Sequence, residues 1–188
     1  MHELEPFYGW QNLYAASEDA NSPFYGNQYS ETECINSVYN YFIHPQWEEM
    51  GSATLYVKLL YTGYDEGFCV LELIGEWNDL LYNDIMFLKR NVAEPLMDKG
   101  INRFILIGEN ILNFFADDDS YYQEWFDEIE DGWIACVNFR PHVLKEIEDR
   151  HLDYYMAIGG KLDDLRWRTL SPKQLLTVVD GVIVKRLN

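Results

Sequence analysis

The chain is short of positive charge. Residues 1–50 hold no lysine or arginine, and across 188 residues 14 basic side chains face 32 acidic ones, a net charge of −18. Nucleic-acid backbones and anionic membranes attract the opposite sign, so neither is expected as a partner. A basic protein partner or a homodimer is the expected company. No run of eighteen apolar residues exists, which excludes a helical membrane span. Met1-His2-Glu3-Leu4-Glu5 lacks the basic and apolar regions of a secretory signal, so the cytoplasm is the expected compartment. Cysteine is scarce: Cys34, Cys69 and Cys136 lie far apart, and the last two sit in apolar runs. That spacing fits buried, inert thiols rather than a disulfide framework or a paired-cysteine metal site.

The recognisable catalytic signatures are also missing. No Gly-x-Ser-x-Gly elbow, P-loop, Gly-x-Gly-x-x-Gly turn or His-Glu-x-x-His helix occurs, so hydrolase, nucleotide and zinc chemistry have no sequence support, and neither a metal nor a cofactor is expected. Gly75-Glu76-Trp77 is too bulky and too acidic to cradle phosphates. His44, beside Pro45 and Trp47, reads as a packing residue.

What the chain does contain is a well-punctuated α/β pattern. Residues 53–62 and 68–76 read as strands joined by a short turn, hence an antiparallel hairpin. A long helix follows, capped by Asn78 or Asp79, with Leu81, Ile85, Leu88, Val92 and Leu96 on one face. Pro95 predicts a break at Glu94, and Gly100 the left-handed end. Residues 103–108 form the third strand, parallel to the second through a right-handed crossover. Ser120 to Gln123 is a capping box that opens an acidic helix; residues 117–131 carry eight carboxylates and no base. Residues 133–138 make a fourth strand, Pro141 begins a helix, and residues 153–158 make a fifth strand. Ser171-Pro172-Lys173-Gln174 starts a last helix, preferred over a hairpin turn at Asp180-Gly181. The fold class is therefore α/β: a mixed, mostly parallel sheet of about five strands, a β-hairpin then a βαβαβα pattern, flanked by helices.

Residues 1–50 are an acidic, aromatic arm, with eight carboxylates and eleven aromatic rings. Disordered tails are poor in aromatics, so the arm is expected to pack on a single α/β domain of residues 51–188. Ser30-Glu31-Thr32-Glu33 reads as a capping box before a helix bearing Ile35, Val38, Tyr39 and Phe42.

In open α/β sheets, ligands collect beyond the carboxyl ends of the parallel strands. Here those ends carry Glu76, Asn78 and Asp79, then Glu109 and Asn110, then Arg140 and His142. The repeated Ile-Gly-Glu at 74–76 and 107–109 has two readings. Glu76 and Glu109 side by side suit acid/base work or a hard divalent cation. Alternatively, glycine ends each strand and glutamate favours the first turn of the next helix. Arg140 suits an anion beside a helix N-terminus and His142 a proton, or Arg140 simply pairs with a carboxylate. The acidic helix is a docking face for a basic partner or a solvated face over an apolar stripe. Two functions remain: a non-catalytic protein-interaction or regulatory module, preferred, and a small-molecule or divalent-metal-dependent enzyme using the strand-end rim.

From about residue 53 to the end, the order of elements resembles that of STAS domains, the sheet-and-helix modules of anti-sigma-factor antagonists. The resemblance implies a non-enzymatic regulator, switched by phosphorylation and acting through a partner protein. The phosphorylated serine of that family sits in an Asp-Ser-rich turn after the third strand. Here Gly108-Glu109-Asn110 stands there and Ser120 lies well past it, so no phosphosite carries over. The aromatic arm has no counterpart in that pattern.

Overall fold

The computed structural model describes residues 4–30 and 32–187. Residues 1–3 of the signal reading, Glu31 of the arm's capping box and Asn188 lie outside them. Five strands form one sheet in sequence order. They are β3 (Glu48–Glu49), β4 (Leu55–Gly63), β5 (Phe68–Asn78), β6 (Arg103–Phe115) and β7 (Trp133–Val137). Strands β3, β4 and β5 pair antiparallel, and β5, β6 and β7 pair parallel. The sheet is thus mixed, and the expected parallel majority is corrected for two reasons. The arm folds back to add β3 along Tyr56 and Val57. Residues 153–158, expected as a fifth parallel strand, begin with a 3-10 turn at Leu152–Tyr154 and reach β7 only through a bridge between Ala135 and Ala157.

Period-2 alternation sorts the strands onto two faces. Cys69, Leu71, Leu73 and Trp77 of β5, with Phe104 and Leu106 of β6, pack beneath the helices that follow β5, β6 and β7. Phe68, Val70, Ile105 and Ile107 point the other way. There they meet Leu175, Val179 and Ile183 of the last helix, Trp167, and Trp10 of the arm. All eleven residues of β5 are buried, so it is the centre of the sheet. The three cysteines are free, and burial pushes the Cys69 and Cys136 thiols up.

The helix after β5 breaks more often than Pro95 alone dictates. Asn78 caps α1 (Asp79–Tyr82), its Oδ1 accepting the Leu81 N–H at 3.0 Å. Asn83 then turns left-handed at φ 54°, before α2 (Asp84–Leu88), a π-helical turn at Lys89–Ala93 and α3 (Glu94–Met97). The Glu94 N–H reaches back to the Lys89 carbonyl, five residues away. That wider turn puts Pro95 in the first turn of a new helix, where its missing N–H costs nothing. Gly100 ends the run with positive φ as expected.

Helix α4 (Ser120–Glu128) has Asp119, not Ser120, as its N-cap, because the Ser120 N–H is held by Asp118 Oδ1 at 2.9 Å. Helices α5 (Pro141–Asp149) and α6 (Pro172–Leu187) complete the set. The α6 capping box is reciprocal: Gln174 Oε1 accepts the Ser171 N–H at 2.9 Å and Ser171 Oγ accepts the Gln174 N–H at 3.3 Å.

The arm's expected helix does not form. Ser30 Oγ accepts the Glu33 N–H at 2.9 Å, but the chain continues into a two-stranded hairpin, β1 (Ser37–Val38) with β2 (Tyr41–Phe42). Tyr39 adopts φ 55° in its two-residue turn. Val38 and Ile43 bury against Tyr56 and Ile74, while Ile35 is 85% exposed, so the helical stripe covers nothing.

Candidate functional site

The Ile-Gly-Glu repeat marks no pair of strand exits. Both strands run on, β5 to Asn78 and β6 to Phe115. Each glycine has a local steric reason. A Cβ on Gly75 (φ +116°) would lie 2.1 Å from the Thr54 carbonyl oxygen, and one on Gly108 would lie 2.3 Å from the Phe139 ring. Register separates the two glutamates: Glu76 stands opposite Asn113, whereas Glu109 falls in the irregularity between the pairs Glu72–Ile107 and Ile74–Asn110. Their partners differ as well. Glu76 accepts from Asn78 Nδ2 at 2.8 Å. Glu109 accepts from Asn138 Nδ2 at 2.7 Å and Trp167 Nε1 at 2.8 Å, and pairs with Arg168 at 2.6 Å.

The other residues of the expected rim are placed as follows. Asp79 is buried and accepts from Trp77 Nε1 (3.0 Å), the Ile85 N–H (2.8 Å) and Tyr122 Oη (2.6 Å). Burial pushes its carboxyl up to about 6 against those three donors. Beside it, Asp84 receives the Asn78 N–H at 2.7 Å and the hydroxyls of Ser52 (2.6 Å) and Thr54 (3.0 Å). These contacts fasten β5 to the first helical turns. Arg140 and His142 serve β6, which outruns β7. Arg140 Nε donates to the Glu109 carbonyl at 3.0 Å, and His142 Nε2 donates to the Leu112 carbonyl at 2.6 Å. Two bare edge carbonyls are thereby satisfied. Asn110 and Arg140 line one apolar cavity of 240 Å³ with residues of the β1–β2 hairpin, and Glu76 and Asp79 are not among its walls.

A second polar group is absent from the strand-end set. On the face covered by the arm and α6, neighbouring strands each contribute one polar side chain: Glu48, Lys58, Glu72 and Glu109, ending at Asn138 just after β7. Lys58 and Glu72 stand directly opposite in the β4–β5 ladder. Glu48 accepts from Asn27, Tyr29 and Lys58, whose ammonium also lies 4.0 Å from the Tyr29 ring centroid. Burial holds Lys58 below the usual lysine value despite Glu48. Glu72 receives the Phe7 N–H of the arm at 2.8 Å and faces Arg168 at 3.7 Å. Burial pushes it up to about 7, against the Phe7 amide and Arg168. At Glu109 burial acts the same way, but Asn138, Trp167 and Arg168 outweigh it and hold the carboxyl below its usual value. The sequence does carry a signal for this belt. Lys58 is the single charge of its strand and Glu72 stands between two leucines, which places both on a buried face and demands partners.

The acidic helix α4 is partly neutralised. Glu94, Glu124 and Glu128 bring carboxylate oxygens within 4.8 Å of one another. The fully buried Lys89 ammonium sits among them, at 2.8 Å from Glu94, 3.3 Å from Glu124 and 2.8 Å from Glu128. Arg90 adds a contact to Glu124 at 3.0 Å.

Uncovered apolar side chains gather instead at the carboxyl end of β5. Leu80, Leu81 and Tyr82 of α1 are 52%, 75% and 43% exposed. Leu80 and Leu81 share a surface hollow with Asp117, Asp118 and Tyr121. No helix among the described residues is long and apolar enough to cross a membrane.

No family model and no curated protein matches the sequence. Among solved structures, the chain is similar to the anti-sigma factor antagonist SpoIIAA in its unphosphorylated form. The identity is 14% and the TM-score 0.44, over 66% of this chain and 96% of that one. No residue role passes from it to this chain.

Proposed function

We propose that the protein is a non-catalytic interaction module that docks a basic, amphipathic segment of a partner protein against α1. One observation carries the proposal: Leu80 and Leu81 stand exposed at the carboxyl end of the central strand, walled by Asp117 and Asp118. Apolar anchors ringed by acids suit a segment with leucine-like residues on one face and lysines or arginines on the other. The catalytic alternative gains nothing from the rim, because Glu76 and Glu109 do not meet and Arg140 and His142 serve backbone carbonyls.

Calorimetric titration of the whole chain with a helical peptide, leucines on one face and lysines on the other, tests the reading. Leu81→Glu adds a negative charge while removing an anchor. Docking on α1 predicts about tenfold weaker binding, the size expected for losing one well-buried apolar contact. Unspecific attraction to an acidic protein predicts equal or tighter binding, and that result overturns the proposal.

A further inference from the structure

The cavity between the β1–β2 hairpin and the free edge of β6 is distinct from the α1 surface and shares none of its residues. Its 240 Å³ are walled by Val38, Phe42, Ile43, Ile74 and Leu112. Polar side chains contribute at three points, the Tyr41 phenol, the Asn110 amide and the Arg140 guanidinium. Neither an ion pair to Arg140 nor a side-chain hydrogen bond to Asn110 occurs among the described residues. Arg140 is exposed beside these apolar walls. Its Nε is anchored on the Glu109 carbonyl, which fixes the planar fork and leaves the two Nη groups without a bonded partner among the described residues. Arg140 is also the N-cap of the nine-residue α5, so the positive end of that helix lies on the same side.

We propose that this cavity binds a small apolar monocarboxylate, its hydrocarbon body among Ile43, Ile74 and Leu112 and its carboxylate on Arg140 and Asn110. The volume suits a molecule of about ten non-hydrogen atoms, below the usual range for nucleotide-sized ligands. The apolar walls disfavour sugars and other polyols, whose hydroxyls would find no partners.

Octanoate and its uncharged analogue octanamide, titrated into the full chain by calorimetry and by methyl NMR, separate the possibilities. Octanoate is expected to saturate at one equivalent, to shift the Ile43, Ile74 and Leu112 methyls, and to bind about tenfold tighter than octanamide. Arg140→Gln is expected to remove that tenfold preference while leaving octanamide binding unchanged, which also reports that the cavity is intact. Leu112→Trp, which fills the cavity from an only half-buried position, is expected to abolish binding of both. Equal affinity of the unaltered protein for acid and amide, absence of saturable octanoate binding, or full binding by Leu112→Trp would each overturn the proposal.

Discussion

Two regions of the molecule carry its unusual side chains, and they differ in one respect. The belt beneath the arm and α6 holds Glu48, Lys58, Glu72 and Glu109, and every one of them has a polar partner. The surface of α1 holds Leu80, Leu81 and Tyr82, which the described residues leave 52%, 75% and 43% exposed. By composition alone the belt is the better-looking site, with perturbed carboxyls, a depressed lysine and aromatic neighbours. Each of its charges already has a partner within the chain, however, and structural ion networks perturb protonation as catalytic ones do. The difference teaches that incomplete contacts point to a partner more directly than buried charge does. Damage to the belt should cost stability, and damage to α1 should cost binding.

The largest effect is expected where the belt is most connected. Glu109→Ala leaves Trp167 Nε1 without its acceptor and removes the ion pair to Arg168, while Asn138 keeps the Leu165 carbonyl. A loss of about 3 kcal/mol in urea unfolding is expected, because a stranded buried donor costs its full desolvation. Partner-peptide binding at α1 should stay unchanged after correction for the folded fraction.

Glu72→Gln acts in the opposite direction. The Glu72 carboxyl is pushed up to about 7 in the folded chain from an ordinary 4.5. Its contribution is therefore fully present below about 4.5 and is lost as pH rises through about 7. Gln keeps an acceptor for the Phe7 N–H and carries no charge. The variant should be more stable than the parent by about 2–3 kcal/mol at pH 8 and should flatten the fall in stability between pH 4.5 and 7. Asp79, raised to about 6 by burial, leaves a smaller residual slope in the same direction. Thermal unfolding across pH reads both, and an unchanged slope in Glu72→Gln would mean that Glu72 is ionised and well solvated.

A smaller loss is expected at the last helix. Ser171→Ala removes half of the reciprocal cap with Gln174. About 1 kcal/mol should be lost in the same denaturation series.

The sequence made part of this legible, and the reasons are local. The hairpin of β4 and β5, the Asn78 cap, Gly100 and the start of α6 each depend on a few adjacent residues whose chemistry permits one outcome. The expected helix at residues 35–42 failed because its cap is real but its apolar stripe has nothing to cover. Tertiary burial of Val38 and Ile43 against Tyr56 and Ile74 decided for a hairpin. The length of β6 was hidden because Glu109 and Asn110 read as a polar exit. Their strand continues only because β5, Arg140 and His142 supply partners distant in sequence. The separation of Glu76 from Glu109 has the same origin, since irregular register cannot be read from a repeated tripeptide. Of the strand-end residues, Asn110 and Arg140 came together around one cavity, whereas Asn78 and Asp79 became fasteners of α1.

The most direct test of the account pairs two variants in two assays. Leu81→Glu and Glu72→Gln are each measured for unfolding at pH 8 and for binding of the leucine–lysine peptide. The account predicts a clean exchange: Leu81→Glu unfolds within about 0.5 kcal/mol of the parent, as exposed substitutions do, and binds about tenfold more weakly. Glu72→Gln gains stability and binds as the parent does. Loss of peptide affinity in Glu72→Gln, with Leu81→Glu binding undiminished, would place the contact surface under the arm and contradict the account.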